Sequence, residues 1–195
     1  MVDEQRCFLA IDIEPKLTRK IEEVQKEFKK TNNNIKYVEK ENLHFTLKFF
    51  GNITNSKINE IKIAINSLLT KINSDDTVND PFKTELAIEG IGTFPNKDYM
   101  KVLWIGTKNN SFLVNLQKQL DSEFEKLGFK KEKNFKTHLT IGRIRNLKHK
   151  KEFKEKIEEL ESINIGKMNI SKISLKKSEL TPKGPIYSDI KVFNF

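Results

Sequence analysis

A shift of 94 residues lays much of this 195-residue chain on itself. HFTL (44–47) falls on HLTI (138–141), and RCFLAIDI (6–13) falls on MKVLWIGT (100–107). The same shift places KTEL (83–86) on KSEL (177–180) and Gly90 on Gly184. Three strand-like segments holding one register point to an old duplication, and the intervening helices slip by a residue or two. A duplicated chain is built from two similar lobes, and a pseudo-twofold axis between them makes equivalent positions face each other. At this length roughly 70 % of the unfolded chain's surface can be buried, so residues 1–195 make one domain that needs no disulfide or metal staple.

Hydrophobic periodicity fills in the elements. Strands are expected near 5–13, 36–39, 43–50, 82–92, 99–107, 136–145, 167–179 and 186–193, and helices near 15–30, 55–72, 110–127 and 149–162. The stripe Leu17, Ile21, Val24, Phe28 is typical of the helices. The Asn/Asp-rich stretch KINSDDTVNDP (71–81) reads as a loop of the first lobe. The fold class is α+β: bilobal and internally duplicated, with mainly antiparallel sheets, helices on the outer faces and a central cleft.

The chain has only three histidines, and two of them, His44 and His138, occupy equivalent positions of the repeat. Alternate residues of a strand share a face. In HFTLKFF this turns Phe45, Leu47 and Phe49 to the core, and His44, Thr46 and Lys48 to the other side. In THLTIGR, Leu139 and Ile141 go inward while His138 and Thr140 share the opposite face. Each strand thus offers an imidazole and a hydroxyl two residues apart. The pair suits phosphate chemistry, since the hydroxyl can donate to a phosphate oxygen while the imidazole gives or takes a proton near neutral pH. His149, among lysines at a helix start, reads as exposed.

Arg143 follows His138 by five residues, and strict alternation would bury it. An unpaired buried guanidinium is very costly, so the strand ends or bulges at Gly142, or Arg143 reaches round to an anion. The chain has 36 basic residues, of which only Arg6, Arg19, Arg143 and Arg145 are arginine, so an arginine at this position hints at bidentate phosphate recognition. A surface ion pair with one of the 27 acidic residues is the plainer alternative. The formal net charge of +9 fits a polyanionic partner such as RNA, and equally a lysine-rich composition. Cys7 is the only cysteine and no Cys/His cluster has metal-ligand spacing. No apolar run approaches the ~18 residues of a membrane span, and the N-terminus lacks the pattern of a signal peptide. We therefore expect a soluble cytoplasmic protein with no metal and no cofactor.

The paired H-x-T-x motifs resemble those of the two-histidine phosphoesterase superfamily, and within it the RNA 2′,3′-cyclic phosphodiesterase family, also called 2′-5′ RNA ligases. The resemblance spans nearly the whole chain, through RCFLAIDI, ENLHFTLKFFG, IGTFPNKDYMKVLWIG, NFKTHLTIGRIR and SELTPKGPIYSDI. Thr137 stands where proline is common in that family, and Tyr37 where tryptophan is common. The resemblance implies His44 and His138 as catalytic residues and Thr46, Thr140 and Arg143 as phosphate-binding residues. It implies a metal-independent hydrolase that opens RNA 2′,3′-cyclic phosphate ends to 2′-phosphomonoesters, and the basic surface suits tRNA-like fragments as the RNA. Run in reverse with an RNA 5′-hydroxyl, the reaction would form a 2′-5′ linkage without ATP. By resemblance the 3′ oxygen leaves, with His44 as proton donor and His138 as base. Tyr187 matches a family position too, although ring packing against the core accounts for it as well.

Three other readings stay open on the residues alone: a phosphodiesterase for another 2′-linked nucleotide, a non-catalytic RNA-binding module, and a structural domain with two core histidines. The expected assembly is a monomer, because the cleft lies within one chain.

Overall fold

The computed structural model describes residues 3–74, 85–96, 98–182 and 184–194. Its elements, in chain order, are β1 (Glu4–Asp12), α1 (Pro15–Lys29), β2 (Asn34–Tyr37), a 3₁₀ turn (Lys40–Asn42), β3 (His44–Thr54), α2 (Asn55–Asn73), β4 (Glu85–Pro95), β5 (Met100–Lys108), α3 (Ser111–Lys126), β6 (Leu139–Asn146), α4 (Lys150–Glu159), β7 (Asn164–Asn169), β8 (Lys172–Thr181) and β9 (Gly184–Asn194).

The strands form one ladder in the order β7-β4-β5-β6-β3-β1-β8-β9, with β2 added on β6, and every pairing is antiparallel. The order is a palindrome. Reading outward from the β6/β3 junction, β5 matches β1, β4 matches β8 and β7 matches β9. At the junction β3 and β6 share a single register pair, Phe45 with Leu139. Those two residues are 94 apart, so the pseudo-twofold axis passes between them and the half-sheets splay around it.

The repeat holds at the level of individual pairs. Phe8, Leu9, Ala10 and Ile11 face Phe49, Lys48, Thr46 and Phe45. Their equivalents Val102, Leu103, Trp104 and Ile105 face Arg143, Gly142, Thr140 and Leu139. The third sequence match is a different matter. Leu9 pairs with Leu175 while its equivalent Leu103 pairs with Thr93, so β4 and β8 correspond at an offset of 82. The KTEL/KSEL and Gly90/Gly184 coincidences are therefore not structural equivalences, and Lys83 and Thr84 lie outside the described residues.

Helices cover the outer faces and interlock the halves. α1, which follows β1, packs on β6, β7 and α4, whereas α3, which follows β5, packs on β3 and α2. Each half of the sheet thus takes one covering helix from the other half. The expected stripe of α1 is buried at Leu17, Ile21, Val24 and Phe28, and α3 buries Leu113, Leu116, Leu120 and Phe124. A Thr54 side chain that accepts from the Lys57 N–H starts α2 at the end of β3.

Two element expectations need correction. The single strand 167–179 is two strands, with β7 on β4 and β8 on β1 at opposite ends of the ladder. Buried Met168, Ile170, Ile173 and Leu175 carry the reason, because alternation breaks between Ile170 and Ile173. The expected loop 71–81 begins instead as the last turn of α2, and its remainder from residue 75 lies outside the described residues.

Candidate active site

His44 opens β3, and His138 immediately precedes β6. Around the Phe45–Leu139 pair the antiparallel sense sets His44 beside Thr140 and Thr46 beside His138, all four on the face opposite the two buried apolar residues. All four line one cavity of about 510 Å³, and Arg143 lines it with them. The two histidines, the two threonines and Arg143 are therefore brought together.

The two imidazoles are held alike. His44 Nδ1 lies 2.7 Å from the Asn42 carbonyl, and His138 Nδ1 lies 2.7 Å from the Lys136 carbonyl, which are again repeat-equivalent. A carbonyl only accepts, so each Nδ1 carries a hydrogen, and Nε2 is the nitrogen left to face the cavity chemistry. Rings fix the imidazole planes. Phe8 and Tyr187 pack on His44 at 5.0 and 5.4 Å between centroids, and Phe94 meets His138 edge-on at 4.9 Å. Burial draws the His44 pKa down, opposed by the Asn42 carbonyl and the Asp12 carboxylate.

A matched pair of β-bulges shapes the rest. Register skips between Leu9/Ala10 and Leu103/Trp104 leave Leu47 and Ile141, again 94 apart, as the extra residues. Past each bulge the faces swap. Gly142 and Ile144 are buried and Arg143 is exposed, while Lys48 and Phe50 are buried and Phe49 is 63 % exposed. A bulge is thus what frees Arg143 from the core. Its guanidinium makes no ion pair or hydrogen bond among the described residues, unlike the surface ion pair that was the plainer alternative.

The same device in β3 overturns the expected alternation there. Phe49 stands at the cavity wall rather than in the core, and Lys48 goes inward rather than to the cleft. Lys48 Nζ meets the Asp121 carboxylate and donates to the Lys130 carbonyl at 2.5 Å, and Asp121 Oδ2 accepts from the Glu132 N–H at 2.6 Å.

Phe8, which sequence reasoning passed over, and Tyr187, which it matched to a family position but left off the site, line the cavity against His44. The signal for Tyr187 was present in GPIYSDI, where its neighbours Ser188 and Ile186 leave it no clear core parity. His149 is exposed at the start of α4, as its neighbourhood suggests, with its backbone N–H donated to Asn33.

The comparisons with known proteins agree with this geometry. The model of the LigT-like phosphoesterase family matches residues 11–104 and again 107–187. A protein of Methanothermobacter thermautotrophicus named RNA 2′,3′-cyclic phosphodiesterase is 40 % identical over 188 residues, which are 96 % of this chain and 97 % of that one. One of the same name from Methanocaldococcus jannaschii is 43 % identical over 186 residues, covering 95 % and 98 %. Among solved structures, the protein TT0787 of Thermus thermophilus superposes with a TM-score of 0.75 at 21 % identity, covering 97 % of each chain. E. coli LigT complexed with 3′-AMP superposes at 0.71 and 20 %, covering 98 % of each. With the family's pattern matched across both halves, and close relatives covered from end to end, the chain belongs to the LigT-like phosphoesterases.

Proposed function

We propose that the protein hydrolyses RNA 2′,3′-cyclic phosphate ends to 2′-phosphomonoesters by acid–base catalysis between His44 and His138, without a metal. The observation that carries this reading is the matched pair of imidazoles, each with Nδ1 committed to a backbone carbonyl, in one cavity with Arg143. The names of the archaeal relatives point to the same substrate class.

Opening the ring requires water on phosphorus in line with the departing ribose oxygen, so an acid and a base must flank the phosphate. His138 Nε2 takes the proton of the attacking water as its oxygen bonds to phosphorus. The P–O3′ bond breaks, and the proton on His44 Nε2 goes to O3′. His138 ends protonated and His44 neutral, and exchange with solvent resets both. Each role is worth roughly 10²–10⁴-fold. Thr46 and Thr140 donate to the non-bridging oxygens and Arg143 balances their growing charge.

The asymmetry of the cavity supports this division of labour. Aromatic rings stand on both sides, Phe8, Phe49 and Tyr187 near His44 and Phe94 against His138, but the position equivalent to Phe49 on the His138 side is Arg143. A nucleobase stacked on Phe49 puts the ribose, and hence O3′, next to His44 and leaves the His138 side to water. An anionic diester beside His44 also opposes the downward pull of burial on its pKa, so substrate binding arms the acid. With an RNA 5′-hydroxyl in place of product water, the reverse reaction joins RNA through a 2′-5′ link. The same proposal takes the protein as a cytoplasmic monomer acting on RNA fragments, those of tRNA included.

The test is a short RNA ending in 2′,3′-cyclic phosphate, incubated with wild-type protein in EDTA and followed by phosphorus NMR. Conversion to a 2′-phosphomonoester is expected. A 3′-phosphomonoester would reverse the leaving-group assignment, and no turnover between pH 5 and 9 would overturn the activity.

A further inference from the structure

Beyond the catalytic pocket, the His44 half of the cavity continues along β1. On the cleft face, His44 stands opposite Asp12, Thr46 opposite Ala10 and Phe49 opposite Phe8, and the line ends at Arg6, opposite Asn52. Arg6 is two residues from Phe8, one pleat of about 7 Å farther from the imidazole. It lines the cavity and is exposed. Its guanidinium makes no hydrogen bond or ion pair among the described residues, whereas Arg19 pairs with Glu23. Ser178 also lines the cavity, and it follows Lys177, the β8 partner of Cys7, so the register continued by one residue sets it opposite Arg6. The Arg6 charge is felt inside the cavity. Burial raises the Tyr187 pKa, and Arg143 and Arg6 oppose that rise.

The wall therefore presents a hydroxyl and imidazole, then a ring, then a guanidinium with a second hydroxyl. A ribonucleotide chain met from its 3′ end presents groups in the same order: the terminal phosphate, the base on its ribose, then the 5′-phosphodiester. We propose that Arg6 and Ser178 bind the 5′-phosphodiester of the terminal nucleotide, so that the protein selects an RNA chain end over a free nucleotide. The proposal rests on the reading of the substrate as an RNA 3′ end. It adds a subsite, and its chemical class is a single phosphodiester monoanion.

The experiment measures equilibrium binding of two ligands that are not turned over. One is a tetraribonucleotide ending in 2′-phosphate, and the other a nucleoside 2′-phosphate with a free 5′-hydroxyl. Arg6→Gln is expected to weaken the tetranucleotide about tenfold, the loss of one charge-assisted contact, and to leave the nucleoside 2′-phosphate within about twofold. The salt slope of tetranucleotide binding should fall by about 0.7. Arg6→Lys should restore most of the affinity, and Arg19→Gln should change neither ligand. An equal loss on both ligands, or none on the tetranucleotide, overturns the subsite while leaving the catalytic reading standing. Failure of the wild type to bind either ligand overturns both.

Discussion

Burial draws the His44 pKa down, the Asn42 carbonyl and Asp12 carboxylate hold it up, and Lys176 and Arg143 add to the downward pull. A histidine whose folded pKa lies below the unfolded value of about 6.5 binds fewer protons when folded. Its contribution to stability is therefore complete above pH 6.5 and is lost as the pH falls through the folded value. Asp12 also pairs with Lys176 at 3.0 Å, so Asp12→Asn removes one supporting charge and releases an opposing one. We expect that substitution to lower the His44 pKa further, read by NMR titration of the imidazole. An unchanged or higher pKa would rule out the Asp12 carboxylate as a support of the imidazolium. At this scale the motif residues were legible because both imidazoles share a register with a hydroxyl. The partners were not. Asp12, Asn42 and Tyr187 reach His44 across strands and a turn, where no local periodicity records them.

The bulges are the elements' main contribution to the site, and both are braced from the opposite half. Gln25 of α1 is 6 % exposed and donates to the Ile141 carbonyl, at the β6 bulge, and to the Val38 carbonyl. Its counterpart is Asp121 of α3. Leu17, Val24, Gln25 and Phe28 match Leu113, Leu120, Asp121 and Phe124 at an offset of 96, the helix slip expected beside a strand register of 94. Asp121 grips the β3 bulge through Lys48. Position 142 carries no such lysine, since a Cβ there would come within 2.9 Å of the Ile35 side chain. Lys48→Met leaves Asp121 buried beside only the Glu132 N–H and should cost about 3–5 kcal/mol in urea unfolding. The double variant Lys48→Met/Asp121→Leu should recover most of that loss, because it removes both charges. A single variant as stable as wild type would contradict a coupled pair. Strand and helix positions were largely legible from periodicity. The bulges were legible only where alternation met an absurdity, as at Arg143. At Lys48–Phe49 both residues tolerate either face in sequence terms, and strict alternation chose wrongly.

At the level of the whole molecule, a duplication supplies two equivalent histidines, and divergence makes them unequal. In the ladder β3 and β6 share one residue pair, each half-sheet takes a covering helix from the other half, and the cavity between them draws His44 and Thr46 from one half and His138, Thr140 and Arg143 from the other. Phe49 and Arg143 occupy one position of the repeat, so the cavity wall carries a ring there in one half and a guanidinium in the other. The duplication and the central cleft were readable from the 94-residue shift. The true offset of β4 against β8 was not, because β4 and β8 pair with strands that hold the 94-residue register without sharing it themselves. If the two histidines form one acid–base pair, neither works without the other. That is decided by comparing kcat for cleavage of an RNA 2′,3′-cyclic phosphate by wild type, His44→Ala, His138→Ala and the double variant, each with its unfolding free energy. We expect each single variant to lose at least roughly 10²-fold, the double to be far from multiplicative, and stability to change by no more than about 1 kcal/mol. A folded single variant that keeps wild-type turnover would show that the imidazoles do not act as a pair.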